Sequence, residues 1–282
     1  MSPEVIEVTF KRNRKGFFLN SHELQLKIND FVIVEVDKGI DLGQVSQLGR
    51  LVILKDIKSD LKNVVRLANE EDMEKMKQNR CKESSALQTC KELVQIHKLT
   101  MKLVDVEYQF DTNKLTFFFT SDKRVDFRAL VKDLASKYRT RIELRQISVR
   151  EEARKLGGMG ICGNSFCCGS FICSFSPIST SDAKDQNLPM NPAKLSGVCG
   201  RLKCCILFEK NFYIDTLKKF PPLESRIETE KGTGFVDKLD IFNNYVFLRF
   251  DDDEYEQYDL DKINKLLKKQ TYRSRRDKEK VS

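Results

Sequence analysis

Six of the nine cysteines in this 282-residue chain fall into two copies of one pattern, Cys-Gly-x3-Cys-Cys. The copies are Cys162-Gly-Asn-Ser-Phe-Cys167-Cys168 and Cys199-Gly-Arg-Leu-Lys-Cys204-Cys205, starting 37 residues apart. Glycine after the first cysteine permits a sharp turn and close backbone approach, so the first and later thiolates can converge. Two such loops brought together offer more than four soft donors around one point. His22 and His97 are the only histidines, which excludes imidazole-rich sites, the Cys2His2 zinc finger among them. Thiolates without imidazoles suit iron–sulfur clusters or zinc. Zinc loops usually separate their cysteines by two to four residues, and a doubled Cys-Cys leaves surplus thiolates. Neither copy matches the Cys-x2-Cys-x2-Cys ferredoxin run. An iron–sulfur site is therefore the first expectation and a structural zinc site the second. Buried packing thiols and a disulfide switch remain as further readings, although a duplicated pattern of six is a poor fit to packing alone. Cys81 and Cys90 fall in an expected helix and Cys173 stands outside the repeat, so core or bystander roles are expected for them.

Composition sets the compartment in which these thiols work. No apolar run approaches the ~18–20 residues that span a bilayer, and Met1-Ser-Pro-Glu-Val-Ile-Glu7 has no basic n-region or long apolar stretch. A cytoplasmic protein is expected. In a reducing cytosol nine cysteines do not read as a disulfide framework, and an odd number cannot pair completely within one chain. The net charge of +8 suggests a polyanion partner until it is located. The last 22 residues hold nine Lys or Arg against three Asp or Glu, so +6 of the +8 belongs to that end. The body is nearly neutral.

The elements that must position the cysteines follow from periodicity. Residues 1–68 read as a β-rich, barrel-like module, with apolar alternation at Val5–Phe10, Phe17–Leu19, Phe31–Val36 and Ile40–Leu48. Residues 69–156 read as an α+β domain. Asn69 followed by three acids caps a long helix running to about Lys98. Val104–Phe110 and Leu115–Phe119 form a hairpin, Phe127–Tyr138 an amphipathic helix, Arg141–Ile147 a strand and Val149–Leu156 a short helix. The expected fold class is thus α+β: a helix, β-hairpin, helix and strand layer with small β modules at both ends. From Gly157 to Glu209 the periodicity fails, and residues 157–210 read as an irregular, cysteine-organised, cluster-binding segment. Residues 221–260 read as a second small β module and 261–282 as a basic, flexible tail.

Weaker signals need weighing against plainer ones. Gly158-Met-Gly-Ile-Cys-Gly163 satisfies the dinucleotide fingerprint, which has physical meaning only between a strand and a helix. Here it follows a short helix. Asp251-Asp-Asp-Glu254 reads as a solvated turn. His97, on the apolar stripe of its helix, reads as a satisfied core residue. Arg139, Arg141, Arg145, Arg150, Arg154 and Lys155 form a basic stretch leading into the cysteine region. It is a candidate surface for RNA phosphates or acidic partners, or else a solvated edge paired with Glu143, Glu151 and Glu152. Aromatics interleaved with these basics, which a base-stacking surface would carry, are missing. No catalytic residue is assigned, and a non-enzymatic protein is expected.

The residues also carry a family likeness. Leu130-Val-Lys-Asp-Leu-Ala-Ser136, Arg139-Thr-Arg-Ile-Glu-Leu-Arg-Gln-Ile147, Leu156-Gly-Gly-Met-Gly160, Asp185-Gln-Asn-Leu188, Asn191-Pro192, Ser196-Gly197 and both cysteine repeats resemble the RicT/YaaT type of bacterial protein, whose shared region is the PSP-one C-terminal domain. The resemblance implies a regulatory subunit that carries [4Fe–4S] clusters and assembles with two small helical partners of the YlbF/YmcA kind. It further implies an influence on transcript processing by RNase Y and on sporulation, competence and biofilm development. Carried over by position, Cys162, Cys167, Cys168, Cys199, Cys204 and Cys205 are the metal ligands. Cys162, Cys167, Cys199 and Cys204 are the preferred set for one four-thiolate site, with two cysteines left to face a partner. The alternative is an RNA- or DNA-binding protein with a structural four-cysteine zinc site.

Overall fold

A computed structural model of the chain describes residues 4–49, 52, 61–172, 175–250 and 254–268. They form two compact units: residues 1–175 with 196–201, and residues 176–195 with 202–282. Helices and sheets are segregated as the α+β pattern requires.

The first unit begins with a closed barrel. Strands β1 (Glu4–Thr9), β2 (Lys15–Asn20), β3 (Phe31–Val36), β4 (Gly39–Gln47) and β5 (Lys62–Leu67) close in the order β1-β2-β5-β3-β4. Alternation puts Ile6, Val8, Val32, Val34, Val45 and Val64 inside, all with no exposed surface. Strand β5 pairs with β2 in parallel (Phe18↔Lys62) and antiparallel with β3, and so closes the barrel. Ile33 and Leu42 face outward and pack with Phe110, Met73 and Met76 of the next layer.

That layer opens with α1 (Glu70–Ile96), whose capping box joins the Asn69 side chain to the Asp72 N–H and the Asp72 carboxylate to the Asn69 N–H. The buried line on α1 runs Asp72, Asn79, Glu83, Ala86, Cys90, Val94. Its polar half faces a network of ions and its apolar half the core. Cys90 has no exposed surface, and burial pushes its thiol up to about 12, as suits a packing residue. Cys81 is exposed. Three strands follow in the order β6-β7-β8: β6 (Lys102–Tyr108), β7 (Lys114–Thr120) and β8 (Arg141–Gln146), with β7 antiparallel to β6 and parallel to β8. The β7-to-β8 crossover is α2 (Arg128–Tyr138), whose Leu130 and Leu134 are fully buried. Each side chain of that kind stabilises the fold by about 1.5–3 kcal/mol. Leu115, Phe117 and Phe119 face α1 and α2 as expected, but Phe118 is only 5% exposed too, because α3 (Val149–Leu156) covers the other side of the sheet. Lys155 of α3 places its ammonium 3.7 Å from the centre of the Phe118 ring. His97 Nε2 lies 2.8 Å from Asp133 Oδ2, so the ring is partnered at the edge of the core.

The second unit has a helical part and a sheet. Helices α5 (Thr180–Lys184), α6 (Pro192–Leu195) and α7 (Cys204–Leu217) gather Ala183, Leu195 and Ile206 into a small core. Strands β9 (Arg226–Thr229), β10 (Gly232–Asp240), β11 (Tyr245–Phe250) and β12 (Tyr255–Asp259) form an antiparallel meander, against which α8 (260–268) packs Leu260 and Ile263. Two limits drawn from the sequence fall within helices. The limit at residue 210 falls inside α7, which is apolar around much of its circumference and so shows no helical period. The limit of the basic tail at residue 261 falls inside α8, which runs to 268 and buries Ile263 fully. The rest of that tail, Cys173 and the acids Asp251–Asp253 lie outside the described residues.

Asp182 ties the helical part together. It caps α5 through Ser179 and accepts from Lys210 Nζ of α7 at 2.7 Å. These partners hold its carboxyl at about 2, the Lys210 hydrogen bond being the largest cause. A depressed carboxyl pKa stabilises the fold above the unfolded value of 3.8 and loses that contribution as pH falls toward 2. Asp182→Asn is therefore expected to lower the melting temperature at pH 7 and to flatten its decline between pH 4 and 2. Melting curves by circular dichroism check both.

Candidate metal centre

The two cysteine copies share a backbone as well as a spelling. In the first, the Gly163 N–H donates to Gly160 O at 3.0 Å, the Gly160 N–H to Asn164 O at 2.8 Å and the Phe166 N–H to Gly158 O at 3.1 Å. Thirty-seven residues on, the Gly200 N–H donates to Gly197 O at 3.0 Å, the Gly197 N–H to Arg201 O at 2.8 Å and the Lys203 N–H to Leu195 O at 2.9 Å. Gly163 and Gly200 take φ of +79° and +74°, a left-handed conformation that favours glycine. Phe166 and Lys203 then adopt φ/ψ of −51°/124° and −57°/133°, and each precedes a helix that opens on the Cys-Cys pair: α4 (Cys167–Ser170) and α7. Asn-Ser-Phe and Arg-Leu-Lys share no chemistry, so the shared turn comes from the glycine and the backbone. Each copy holds one cysteine in a tight turn and two at the start of a helix.

Cys162, Cys167, Cys168 and Cys199 belong to the first unit, Cys204 and Cys205 to the second. Within the first unit Cys199 of the second copy acts electrostatically on Cys168 of the first. Burial pushes the Cys168 thiol above its ordinary range, and Cys199 pushes it further the same way, whereas Arg150 and Arg154 oppose both. Cys168 is 9% exposed, Cys199 is half-buried and Cys162 is exposed. In the second unit Cys205 acts on Tyr213, whose hydroxyl is raised first by burial and then by Glu209 and Cys205. Among the described residues no three His, Cys, Asp or Glu side chains gather closely enough to hold a metal ion. The donor chemistry, soft thiols without imidazole, fits a thiolate-ligated metal.

The basic stretch divides by environment. Arg150 and Arg154 act on Cys168, and Arg154 Nε is buried with no hydrogen bond among the described residues. Arg139 ends α2 in a left-handed conformation and, like Arg141 and Arg145, is exposed. Lys155 is not available to a partner. It is 8% exposed, with its ammonium 2.6 Å from Glu107 Oε1 and 3.5 Å from Asp105 Oδ2. The neighbouring acids have partners elsewhere in the fold. Glu143 meets Lys114 at 3.4 Å, Glu152 meets Lys102 at 2.6 Å and Glu151 caps α3 through Ser148. The Gly158–Gly163 stretch follows α3 and lies in the turn of the first copy, not between a strand and a helix.

Residues 62–147 match the PSP1 C-terminal conserved region, which here runs from β5 to the end of β8. Residues 177–220 match the third domain of PSP1-like proteins, which covers α5 to α7. The chain is 44% identical over 237 residues to the stage 0 sporulation protein YaaT of Bacillus subtilis, spanning 84% of this chain and 86% of that one. The chain belongs to the YaaT-like PSP1 family. An uncharacterized protein of Schizosaccharomyces pombe is 32% identical over 170 residues, 50% of this YaaT-like chain and 23% of that protein. Protein PSP1 of Saccharomyces cerevisiae is 49% identical over 47 residues, 17% of this chain and 6% of that one. No solved structure matches. No helix among the described residues of the YaaT-like chain is long and apolar enough to cross a membrane.

Proposed function

We propose that this YaaT-like chain is a non-catalytic, cytoplasmic regulatory subunit whose six repeat cysteines hold iron–sulfur clusters, of the [4Fe–4S] type by family likeness. The observation that carries this is the turn repeated at an offset of 37 residues, with matching backbone hydrogen bonds and glycine conformations. Two identical turns that each deliver three thiols, beside arginines and without histidine, are soft-donor loops. A bound cluster would supply a junction whose integrity depends on thiolate ligation. In this reading ligation is coupled to assembly, and small helical partners of the YlbF/YmcA kind are the proposed companions by family likeness. By the same likeness, and by the sporulation role in the Bacillus relative's name, the complex acts in sporulation, biofilm and competence development through transcript processing by RNase Y.

Anaerobic co-purification from the native cell tests the reading. Iron, acid-labile sulfide and broad visible absorption are expected in the complex. Absence of all three, even with partners retained, overturns it. Stoichiometric zinc together with steeply salt-dependent nucleic-acid binding by the isolated subunit would select the zinc-stabilised RNA- or DNA-binding reading instead.

A further inference from the structure

Within the first unit, α3 packs against α4, where the Cys167-Cys168 pair of the first copy stands, and carries two half-buried arginines. On the cluster-binding reading above, we propose that Arg150 and Arg154 are positioning residues whose charges hold the thiolate-bound metal at the first copy and set its reduction potential. Four thiolates outweigh the positive charge of the cluster or zinc ion they ligate, so a finished site is an anion. An anion placed where water is scarce is costly unless a cation stands close by.

The two arginines stand at i and i+4 of α3, so both side chains leave the helix on one face. They converge on one thiol. Each acts on Cys168, opposing the effects of burial and of Cys199 there. The backbone keeps this arrangement fixed. A Cβ on Gly169, the residue after Cys168, would touch the Arg154 carbonyl oxygen at 3.9 Å, and the Asn13 side chain donates to Gly169 O at 2.8 Å. The Cys168 end of α4 is thereby held to α3 and to the turn between β1 and β2. The guanidinium carbon of Arg150 lies 5.0 Å from the centre of the Phe175 ring, and Arg154 Nε is buried. Charges that packing holds and water screens little act strongly on their neighbours. Net charge and exposure around the sulfurs are what tune the potential of an iron–sulfur cluster.

The anaerobically purified complex tests this, with the full chain carrying Arg150→Gln, Arg154→Gln, Arg150→Lys or Arg154→Lys. Iron release to a ferrous chelator and the midpoint potential of the cluster are the two readouts. Each glutamine variant is expected to release iron about tenfold faster than the parent. Reduction adds negative charge, so loss of a nearby cation should lower the midpoint potential. A tenfold change in the one-electron equilibrium, about 59 mV, is expected for each glutamine variant. The lysine variants keep the charge and should stay near the parent in both readouts. Arg139→Gln, exposed at the end of α2, is the control and should match the parent. Glutamine variants that arrive without iron while the lysine variants retain it give the same answer. The proposal is overturned if both glutamine variants match the parent. It is equally overturned if the lysine variants fail as the glutamine variants do, which would make the arginines packing residues. A parent complex without iron overturns the cluster-binding reading and this proposal with it, whereas iron in the parent with unmoved glutamine variants overturns this proposal alone.

Discussion

Lys155→Ala is expected to destabilise the first unit by roughly 3–5 kcal/mol, the cost of removing one partner from a buried ionic network. The lysine stands 2.6 Å from Glu107 Oε1 and 3.5 Å from Asp105 Oδ2, and its ammonium lies over the Phe118 ring. Asp105 also has Lys11 Nζ at 2.9 Å from Oδ1 and, more distantly, Arg12 Nε at 3.9 Å from Oδ2, and Glu107 has Arg14 Nε at 3.7 Å from Oε2. Lys11 also serves Glu83 at 2.8 Å and Arg14 also serves Asp41 at 2.9 Å, so neither can absorb the charge released. Burial raises the pKa of both Glu83 and Asp41 in spite of these cations, so desolvation already outweighs pairing there. Without Lys155, Asp105 and Glu107 become excess negative charge in a poorly solvated layer.

The loss has two parts that variants separate. Lys155→Met keeps an unbranched stem over Phe118 and removes the charge, so it should recover the packing part alone. Lys155→Met combined with Glu107→Leu also removes the stranded carboxylate and should recover most of the stability. Denaturation of each variant, followed by circular dichroism, decides the matter. A cost below about 1 kcal/mol for Lys155→Ala would mean that the network contributes no net stability.

The lysine also shows where sequence reading stops. Locally it is the last of six basic residues, and nothing nearby marks it as buried. Its partner Glu107 is 48 residues upstream, on a strand whose outer face only the folded layer covers. The α+β layer was legible because its signals are local: the Asn69 cap, the hairpin alternation and the apolar stripe of α2. Helix α7 was not legible. Its apolar residues surround it, and Phe208 and Phe212 stay 64% and 53% exposed, so no buried face imposes a period. In α8 the charges hid a stripe of Leu260, Ile263 and Leu267 at i, i+3 and i+7. At the candidate centre, the repeat and its glycine turns were legible in spacing. The division of the six cysteines between two units was not, since it depends on the chain leaving one unit at residue 195 and rejoining it at 202.

Cys199→Ser is expected to lower the iron content of the anaerobically purified complex by at least about tenfold, since the loss of one soft ligand removes a quarter of a four-thiolate site. Cys199 is the informative choice because two effects separate there. Its thiol is half-buried, so serine costs little packing, whereas Cys168 is 9% exposed and its replacement would also disturb the contact between α3 and α4. It is also the residue through which the second copy acts on the first, since Cys199 is felt at Cys168. If the two turns serve one centre, Cys199→Ser and Cys162→Ser should each abolish visible absorption, and the double variant should lose nothing more. If each turn serves its own centre, each single variant should remove part of the iron and the double should remove the sum. Cys81→Ser, exposed on α1 and outside the repeat, is the control and should keep the parent iron content. Full iron in Cys199→Ser would place the second copy outside the centre. The matching turns would then be a device for starting α4 and α7, with cysteine at their first positions for packing alone.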